Sequence, residues 1–142
     1  MQLTKHTDYA FRVLIYLANM SEDRTTIAVI TERFEVSKSH LMKVVNELVN
    51  CGWVESTRGK NGGISLAIKA EQITLKDVVV AMEKNLDPIN CHSPECYINE
   101  VCQLKPILVS AQNQYLDFLG GYSLADVGSS EIKGLIIRSA GE

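Results

Sequence analysis

The stretch VSKSHLMKVVNELVNCGWVESTRGKNGGISLA, residues 36–67, decides the fold. Its first half predicts a helix that reaches about Asn50, because apolar residues recur at helical spacing and Ser37 is well suited to cap the N-terminus. Its second half predicts a β-hairpin, since residues 53–57 resemble a strand and apolar residues alternate with polar ones after the basic turn RGKNGG, residues 58–63. A helix followed directly by such a hairpin is typical of a winged helix.

A shorter helix is predicted just before this stretch, at about residues 26–34. Two helices joined by a turn of about four residues, with a polar and basic first turn on the second helix, match the helix-turn-helix pattern. The hairpin favours this interpretation over a plain helical pair. The expected DNA contacts are Ser37, Lys38, Ser39, His40 and Lys43 on the helix, and Arg58, Lys60, Asn61, Gly62 and Gly63 in the turn, where the two glycines would let the backbone approach DNA closely.

The distribution of charge supports a nucleic-acid partner. The whole chain has a net charge of -3, but residues 37–69 carry five basic and two acidic groups, a net charge of +3 between acidic flanks. A basic segment of this kind can form a local phosphate-binding face that the net charge of the chain conceals.

Three further helices are expected outside this segment. The first runs from about residue 4 to residue 20, and another opens at Thr74 with a capping box and extends to about Lys84. A third, over residues 104–119, has a wide apolar stripe that we expect to form a two-fold homodimer interface, with core burial within the subunit as the competing interpretation. The stripe comprises Leu104, Ile107, Leu108, Ala111, Tyr115, Phe118 and Leu119.

These elements predict a mainly α-helical protein with a small β-hairpin wing and a long C-terminal dimerisation helix. Residues 1–84 would form the winged helix-turn-helix domain, 85–103 a cysteine loop, 104–127 the dimerisation helix with the following segment, and 128–142 a loosely ordered C-terminal tail. The longest apolar run, residues 13–18, is far shorter than the roughly 20 residues that span a bilayer. No signal peptide is recognisable either. We therefore expect a cytoplasmic protein without a membrane partner, whose thiols are kept reduced.

The cysteine loop contains NCHSPECYINEVC, residues 90–102. Converging thiols at Cys91, Cys96 and Cys102 suit a soft metal or an iron–sulfur cluster, because thiolate is the ligand that such centres favour. A structural zinc site would more often show two close cysteine pairs. Three unliganded thiols, or a thiol redox or metal-storage protein that does not bind DNA, are the alternatives. Cys51 lies apart from the loop, and we expect it to be a small buried hydrophobe.

Three passages together resemble the iron–sulfur transcription regulators typified by IscR and NsrR. They are QLTKHTDYAFRVLIYLA, the stretch quoted first, and NCHSPECYINEVCQLK, and the resemblance covers about residues 2–127. The cysteine spacing and the RGKNGG wing look most like the nitric-oxide-sensing repressors of NsrR type. The resemblance implies a non-enzymatic, cytosolic homodimer that binds an operator in double-stranded DNA and releases it when nitric oxide reacts with the cluster.

The same resemblance implies one cluster per subunit, with 4Fe-4S favoured and 2Fe-2S possible. Cys91, Cys96 and Cys102 would supply three ligands, and Asp8, inside the matching TDY, would reach across the dimer as the fourth. His92 is a rival for that position. An IscR-like regulator that senses cluster supply or oxidative stress is the alternative within the same class, and a winged helix with structural zinc is a third.

One departure from the family concerns the turn before the recognition helix. The family usually has glycine there, whereas this chain has Glu35. If the turn needs a left-handed residue, glutamate would cost on the order of 1 kcal/mol. Met42 and Lys43 stand where base readout is expected, so the resemblance does not specify the operator sequence.

Overall fold

The computed structural model describes the backbone of residues 2–140 and the side chains of residues 2–138. Its first helix, α1 (Lys5–Asn19), is capped by Thr4, whose side chain accepts a hydrogen bond from the Thr7 N–H. Ala10, Val13 and Leu14 of α1 are fully buried, and the helix contacts both helices of the predicted helix-turn-helix, the helix after Thr74, the C-terminal helix and the second strand of the wing. The first helix is therefore the centre of the core.

The predicted helix-turn-helix is confirmed. It consists of α2 (Ile27–Phe34) and α3 (Lys38–Asn50), capped by the side chains of Thr26 and Ser37. Glu35 adopts φ 51° and ψ 43°, so the turn does place a left-handed residue at the position where the family usually has glycine. A residue with a Cβ is strained there, because the Cβ crowds the following carbonyl oxygen. The apolar stripe of α3 is buried as predicted, at Leu41, Val44, Val45 and Leu48.

The wing is an antiparallel hairpin of β1 (Val54–Thr57) and β2 (Gly63–Leu66). Gly52, with φ 76°, separates it from α3. The hairpin is joined to the body of the protein by Thr25, whose N–H and C=O both hydrogen-bond to the backbone of Ile64. This short pairing fixes the base of the wing against the segment between α1 and α2.

Helix α4 (Leu75–Met82) opens with the predicted capping box of Thr74 and Asp77 and ends two residues before Lys84. Short 3₁₀ turns at Ala70–Gln72 and Leu124–Val127 pack together, and the Leu124 N–H donates to the Ile73 carbonyl at 2.8 Å. Both side chains are fully buried. The chain therefore returns to the first domain after the long C-terminal helix.

Helix α5 (Leu104–Gly120) is the predicted long helix, and none of its residues is buried within the subunit. Leu108, Tyr115 and Leu119 are partly buried, on the side where α5 meets α4. Ile107 and Phe118 remain 63% and 67% exposed. Core burial within the subunit therefore accounts for only part of the stripe, and the homodimer interface stays a prediction for the rest.

The C-terminal segment differs from the expectation of a loosely ordered tail. Residues 130–140 form helix α6 (Ser130–Ala140), which packs on α1 and buries Ile136; residues 141 and 142 lie outside the described residues. The local pattern is weak because Gly134 interrupts it. The helix is stabilised by its contact with α1. The two helices are far apart in sequence, so local periodicity does not reveal this contact.

Glu83, just after α4, joins the start of α1 to the root of the cysteine loop. Its carboxylate accepts hydrogen bonds from the Thr7 hydroxyl at 2.6 Å, the Thr4 N–H at 2.8 Å and the Thr4 hydroxyl at 3.1 Å. Partial burial raises the pKa of Glu83, but these three bonds outweigh it and lower the pKa below the ordinary value. The residue is thus ionised at neutral pH beside the N-terminus of α1, where the helix dipole favours a negative charge.

Within residues 2–140, no helix combines the length and the apolar character needed to cross a membrane.

Glu35→Gly is expected to stabilise the protein by about 1 kcal/mol, because glycine adopts the left-handed conformation without strain. Urea unfolding at neutral pH would measure the free energy of unfolding. Glu32→Gly is the matched control, since Glu32 lies within α2 and glycine there should destabilise by about 1 kcal/mol. Equal destabilisation by both changes would contradict the assignment of strain to Glu35.

Candidate DNA-binding face and cysteine loop

The candidate recognition surface includes the solvent-exposed side of α3. Lys38, Ser39 and Lys43 are exposed, as are Met42 and Asn46. Ser37 caps the helix by accepting a hydrogen bond from the His40 N–H at 3.4 Å, and its hydroxyl lies 3.0 Å from that of Ser39. Ser37 therefore has a structural role whether or not it also contacts DNA.

His40 is placed differently from the expectation that it lies on the outside. Its ring centroid lies 4.8 Å from that of Tyr9 and 5.7 Å from that of His6, both on α1. The residue is partly buried. His40 and Tyr9 are 31 residues apart in the sequence, so the helical periodicity of α3 does not predict their contact.

The end of the wing carries three exposed polar side chains, Arg58, Lys60 and Asn61, as predicted. Together with Lys38 and Lys43, Arg58 and Lys60 supply positive charge from the recognition helix and from the wing. This is the charge pattern of a surface that contacts a phosphate backbone.

Gly62 and Gly63 have a structural explanation that does not involve DNA. A Cβ on Gly63 would lie 2.5 Å from the Thr25 carbonyl oxygen, and one on Gly62 would collide with the carbonyl of Thr57. Both glycines are therefore required by close approach of the protein's own backbone. Their predicted approach to DNA is not needed to account for them.

Arg24 is a residue at this face that the sequence reasoning missed. Its guanidinium donates a hydrogen bond to the Thr57 hydroxyl and a second one, of 3.4 Å, to the Glu55 carboxylate. These two bonds attach β1 to the turn after α1. Glu55 also accepts a hydrogen bond from Ser65 at 2.9 Å. The only signal in the sequence is one basic residue in a polar turn, which does not indicate its partner.

The cysteine loop lies between α4 and α5 and contains three free thiols. Cys91 is 6% exposed, Cys102 is partly buried and Cys96 is exposed. The Cys96 N–H donates to the Cys91 carbonyl at 3.0 Å, which brings the backbone of these two residues together. Three cysteines therefore share one short loop, as the sequence predicted.

Asn90 organises the start of the loop and was also missed. Its side-chain oxygen accepts hydrogen bonds from the N–H groups of His92 and Ser93 at 3.0 and 3.1 Å, and its amide donates to the Ser93 carbonyl at 2.9 Å. An asparagine that bonds its own following backbone makes a compact turn. This turn sets the direction in which the chain leaves Cys91.

The donor set fits a thiolate-bound iron–sulfur cluster in its chemistry, since it offers three cysteines free of disulfides. In the described part of the single chain, however, no group of three or more His, Cys, Asp or Glu side chains is arranged so that it could hold a metal ion. The loop therefore offers donors of a suitable type, but the described residues of one chain do not arrange them as a metal site.

Asp8 lies on α1 and is paired with Arg12 one turn later. Two hydrogen bonds join the guanidinium to the carboxylate, at 3.1 and 2.8 Å, and they raise the pKa of Arg12. Both side chains are close to half exposed. Such a surface pair contributes about 0.5 kcal/mol, so Asp8 is accessible to another partner at small cost.

His92, the rival ligand, has its Nε2 atom 3.3 Å from the Lys105 Nζ atom of α5. Cys51 differs from the expectation that it is buried: it is exposed at the C-terminus of α3. The pKa of Cys51 is raised, mainly by partial desolvation of the thiol and to a smaller extent by the negative charge of Glu47. Both causes disfavour the thiolate, which is the form in which a cysteine binds a metal.

Comparison with solved structures shows the same fold in several regulators. CymR (YrzC), the global cysteine regulator of B. subtilis, superposes with a TM-score of 0.71 at 23% identity, covering 89% of this chain and 95% of CymR. CymR of Staphylococcus aureus gives 0.69 at 24% identity, covering 85% and 93% of the two chains. IscR of T. potens gives 0.69 at 22% identity, covering 89% and 85%.

The sequence pattern of the Rrf2 family, described as iron-dependent transcriptional regulators, matches residues 3–130. This range includes the helix-turn-helix, the wing, the cysteine loop and α5. The chain belongs to the Rrf2 family of transcriptional regulators.

Proposed function

We propose that this protein is a cytoplasmic, homodimeric repressor that binds operator DNA and senses nitric oxide through an iron–sulfur cluster. The observation that carries the proposal is the loop with three free thiols, Cys91, Cys96 and Cys102, in a chain whose recognition helix and wing offer a basic face. Membership of a family described as iron-dependent supports the cluster. The nitric-oxide signal rests on the resemblance of the cysteine spacing and the wing to NsrR-type repressors.

DNA binding would use two basic faces, one from each subunit. The exposed apolar side of α5 would pair with its copy about a two-fold axis. The two recognition helices would then enter successive major grooves, about 34 Å apart. Lys38 and Lys43 lie on the helix, and Arg58 and Lys60 would reach phosphate beside it.

Regulation would depend on which groups hold the cysteine loop to α1. Cys91, Cys96 and Cys102 would bind the cluster, with 4Fe-4S favoured over 2Fe-2S, and the partner subunit's Asp8 would complete the site. When bound, a cluster with one carboxylate ligand supplies an iron position open to nitric oxide. If the Asp8 carboxylate dissociated from the iron, it would be free to pair with Arg12. The cysteine loop of one subunit would then be released from α1 of the other.

A regulator that senses cluster supply or oxidative stress is the second candidate. It is favoured by the family description, which names iron and not nitric oxide, and by the fold shared with IscR of T. potens. Cluster type and the relative effects of nitric oxide and oxygen on operator binding would distinguish the two.

Arg58→Ala is expected to weaken operator binding and to lower the slope of log affinity against log salt by about 1, because one phosphate contact is lost. Fluorescence anisotropy with an operator selected from genomic fragments would measure both quantities between low and moderate salt. Lys133→Ala is the control, since Lys133 is exposed on α6, away from the wing. An unchanged salt slope in the Arg58 variant would show that the wing does not contact phosphate.

Asp8→Ala is expected to leave the fold intact, because the side chain is close to half exposed and its pair with Arg12 contributes little. The cluster should be lost faster, or the nitric-oxide response should change, since one ligand is missing. Iron retention on anaerobic gel filtration and the nitric-oxide dose for operator release would measure the two effects.

Asp23→Ala serves as the control, because Asp23 is an exposed carboxylate in the turn after α1. If the Asp8 variant matches the wild type and the control in both measurements, Asp8 is not a ligand.

A further inference from the structure

We propose that Glu47 and His40 of the recognition helix are positioning residues, fixed to α1 by His6 and Tyr9, so that the orientation of α1 determines the orientation of the recognition helix. We name these four residues the interhelix clamp. Their role rests on the proposed function and specifies how a change at the cysteine loop would reach the DNA-binding face.

The first contact of the interhelix clamp is a hydrogen bond between His6 and Glu47. The imidazole Nε2 atom lies 2.6 Å from the carboxylate Oε2 atom, and the two side chains are 26% and 43% exposed. A hydrogen bond to a carboxylate is shorter and stronger than one between neutral groups. It joins the first turn of α1 to the third turn of α3.

The second contact is a group of three rings. His40 lies beside Tyr9, with centroids 4.8 Å apart and planes at 57°, and beside His6, with centroids 5.7 Å apart and planes at 24°. Tilted and stacked ring pairs at such distances are attractive and depend on geometry. His40 is in the first turn of α3, so the interhelix clamp attaches the recognition helix at its N-terminal end as well.

The two contacts restrict a motion that the core permits. Leu41, Val44, Val45 and Leu48 fill the apolar side of α3, but burial of apolar area is non-directional and tolerates small rotations. A hydrogen bond of 2.6 Å is directional, because its strength falls steeply as the angle departs from linearity. The interhelix clamp therefore fixes the rotation of α3 relative to α1.

The same two turns of α1 also contact the regions proposed to respond to the signal. His6 and Tyr9 are three residues apart and share the side that faces α3, whereas Asp8 is rotated by about 200° from His6 and projects elsewhere. Thr7, in the same turn, donates to Glu83 at the root of the cysteine loop. A displacement of this turn by Asp8 or by the loop must move His6 and Tyr9 with it, since the helix is rigid over two turns.

The test compares operator affinity of anaerobically loaded and cluster-free protein for the wild type, Glu47→Ala, Glu47→Gln and Glu32→Ala. The ratio of the two affinities should fall by roughly fivefold in Glu47→Ala, which loses the coupling. Glu47→Gln, which keeps a hydrogen-bond partner for His6, should restore part of it. Glu32→Ala, an exposed carboxylate on α2, should retain the wild-type ratio.

Amide hydrogen exchange over residues 38–50 of cluster-free protein without DNA provides a second measurement. Faster exchange in Glu47→Ala than in Glu32→Ala is expected. If the wild type is loaded and Glu47→Ala keeps its affinity ratio, the positioning role is overturned while the proposed function stands. If the wild type takes up no cluster, the proposed function fails, and hydrogen exchange alone decides the role: faster exchange sustains it and equal exchange overturns it.

Discussion

The burial of α1 is the constraint on which the rest of the structure depends. Ala10, Val13 and Leu14 are fully buried, because α1 contacts α2, the recognition helix α3, α4, α6 and the wing. Apolar burial of this kind contributes about 25 cal/mol for each Å² removed from water. One helix thus supports the DNA-binding face on one side and, through Glu83, the root of the cysteine loop on another.

This arrangement would allow a chain of this size to couple the two proposed sites. The recognition helix and the cysteine loop have no need of direct contact, since both are attached to the first turns of α1. The polar attachments are few: Thr4 and Thr7 bond Glu83, and His6 bonds Glu47. A core made only of apolar contacts would resist separation of the helices but would fix their rotation less well.

Most of the fold could be predicted because its signals are local. The caps at Ser37 and Thr74 and the apolar stripe of α3 each depend on a few neighbouring residues. Helix α6 and the exposure of Cys51 could not be predicted, since they depend on packing between distant segments. The hairpin glycines illustrate a different difficulty: their presence was noticed, but Thr25, the neighbour that requires Gly63, lies 38 positions away.

The candidate site divides in the same way. Three cysteines on a loop and a basic wing are visible in the sequence, whereas the attachment of His40 to Tyr9 and the role of Arg24 appear only when the helices are assembled. In the proposed site the fourth ligand would come from another copy, so one subunit would not contain the complete ligand set. The candidate ligands are therefore visible in the sequence, but their arrangement is not.

The measurement that tests the central claim most directly is the content of iron and acid-labile sulfide per chain in protein purified without oxygen, with its visible absorption spectrum. The account predicts about four of each and a broad band of thiolate-bound iron, as expected for a cubane cluster on cysteine ligands, and loss of both in a Cys91→Ser, Cys96→Ser, Cys102→Ser variant. Zinc in place of iron, or a triple variant that keeps its iron and sulfide, would contradict it.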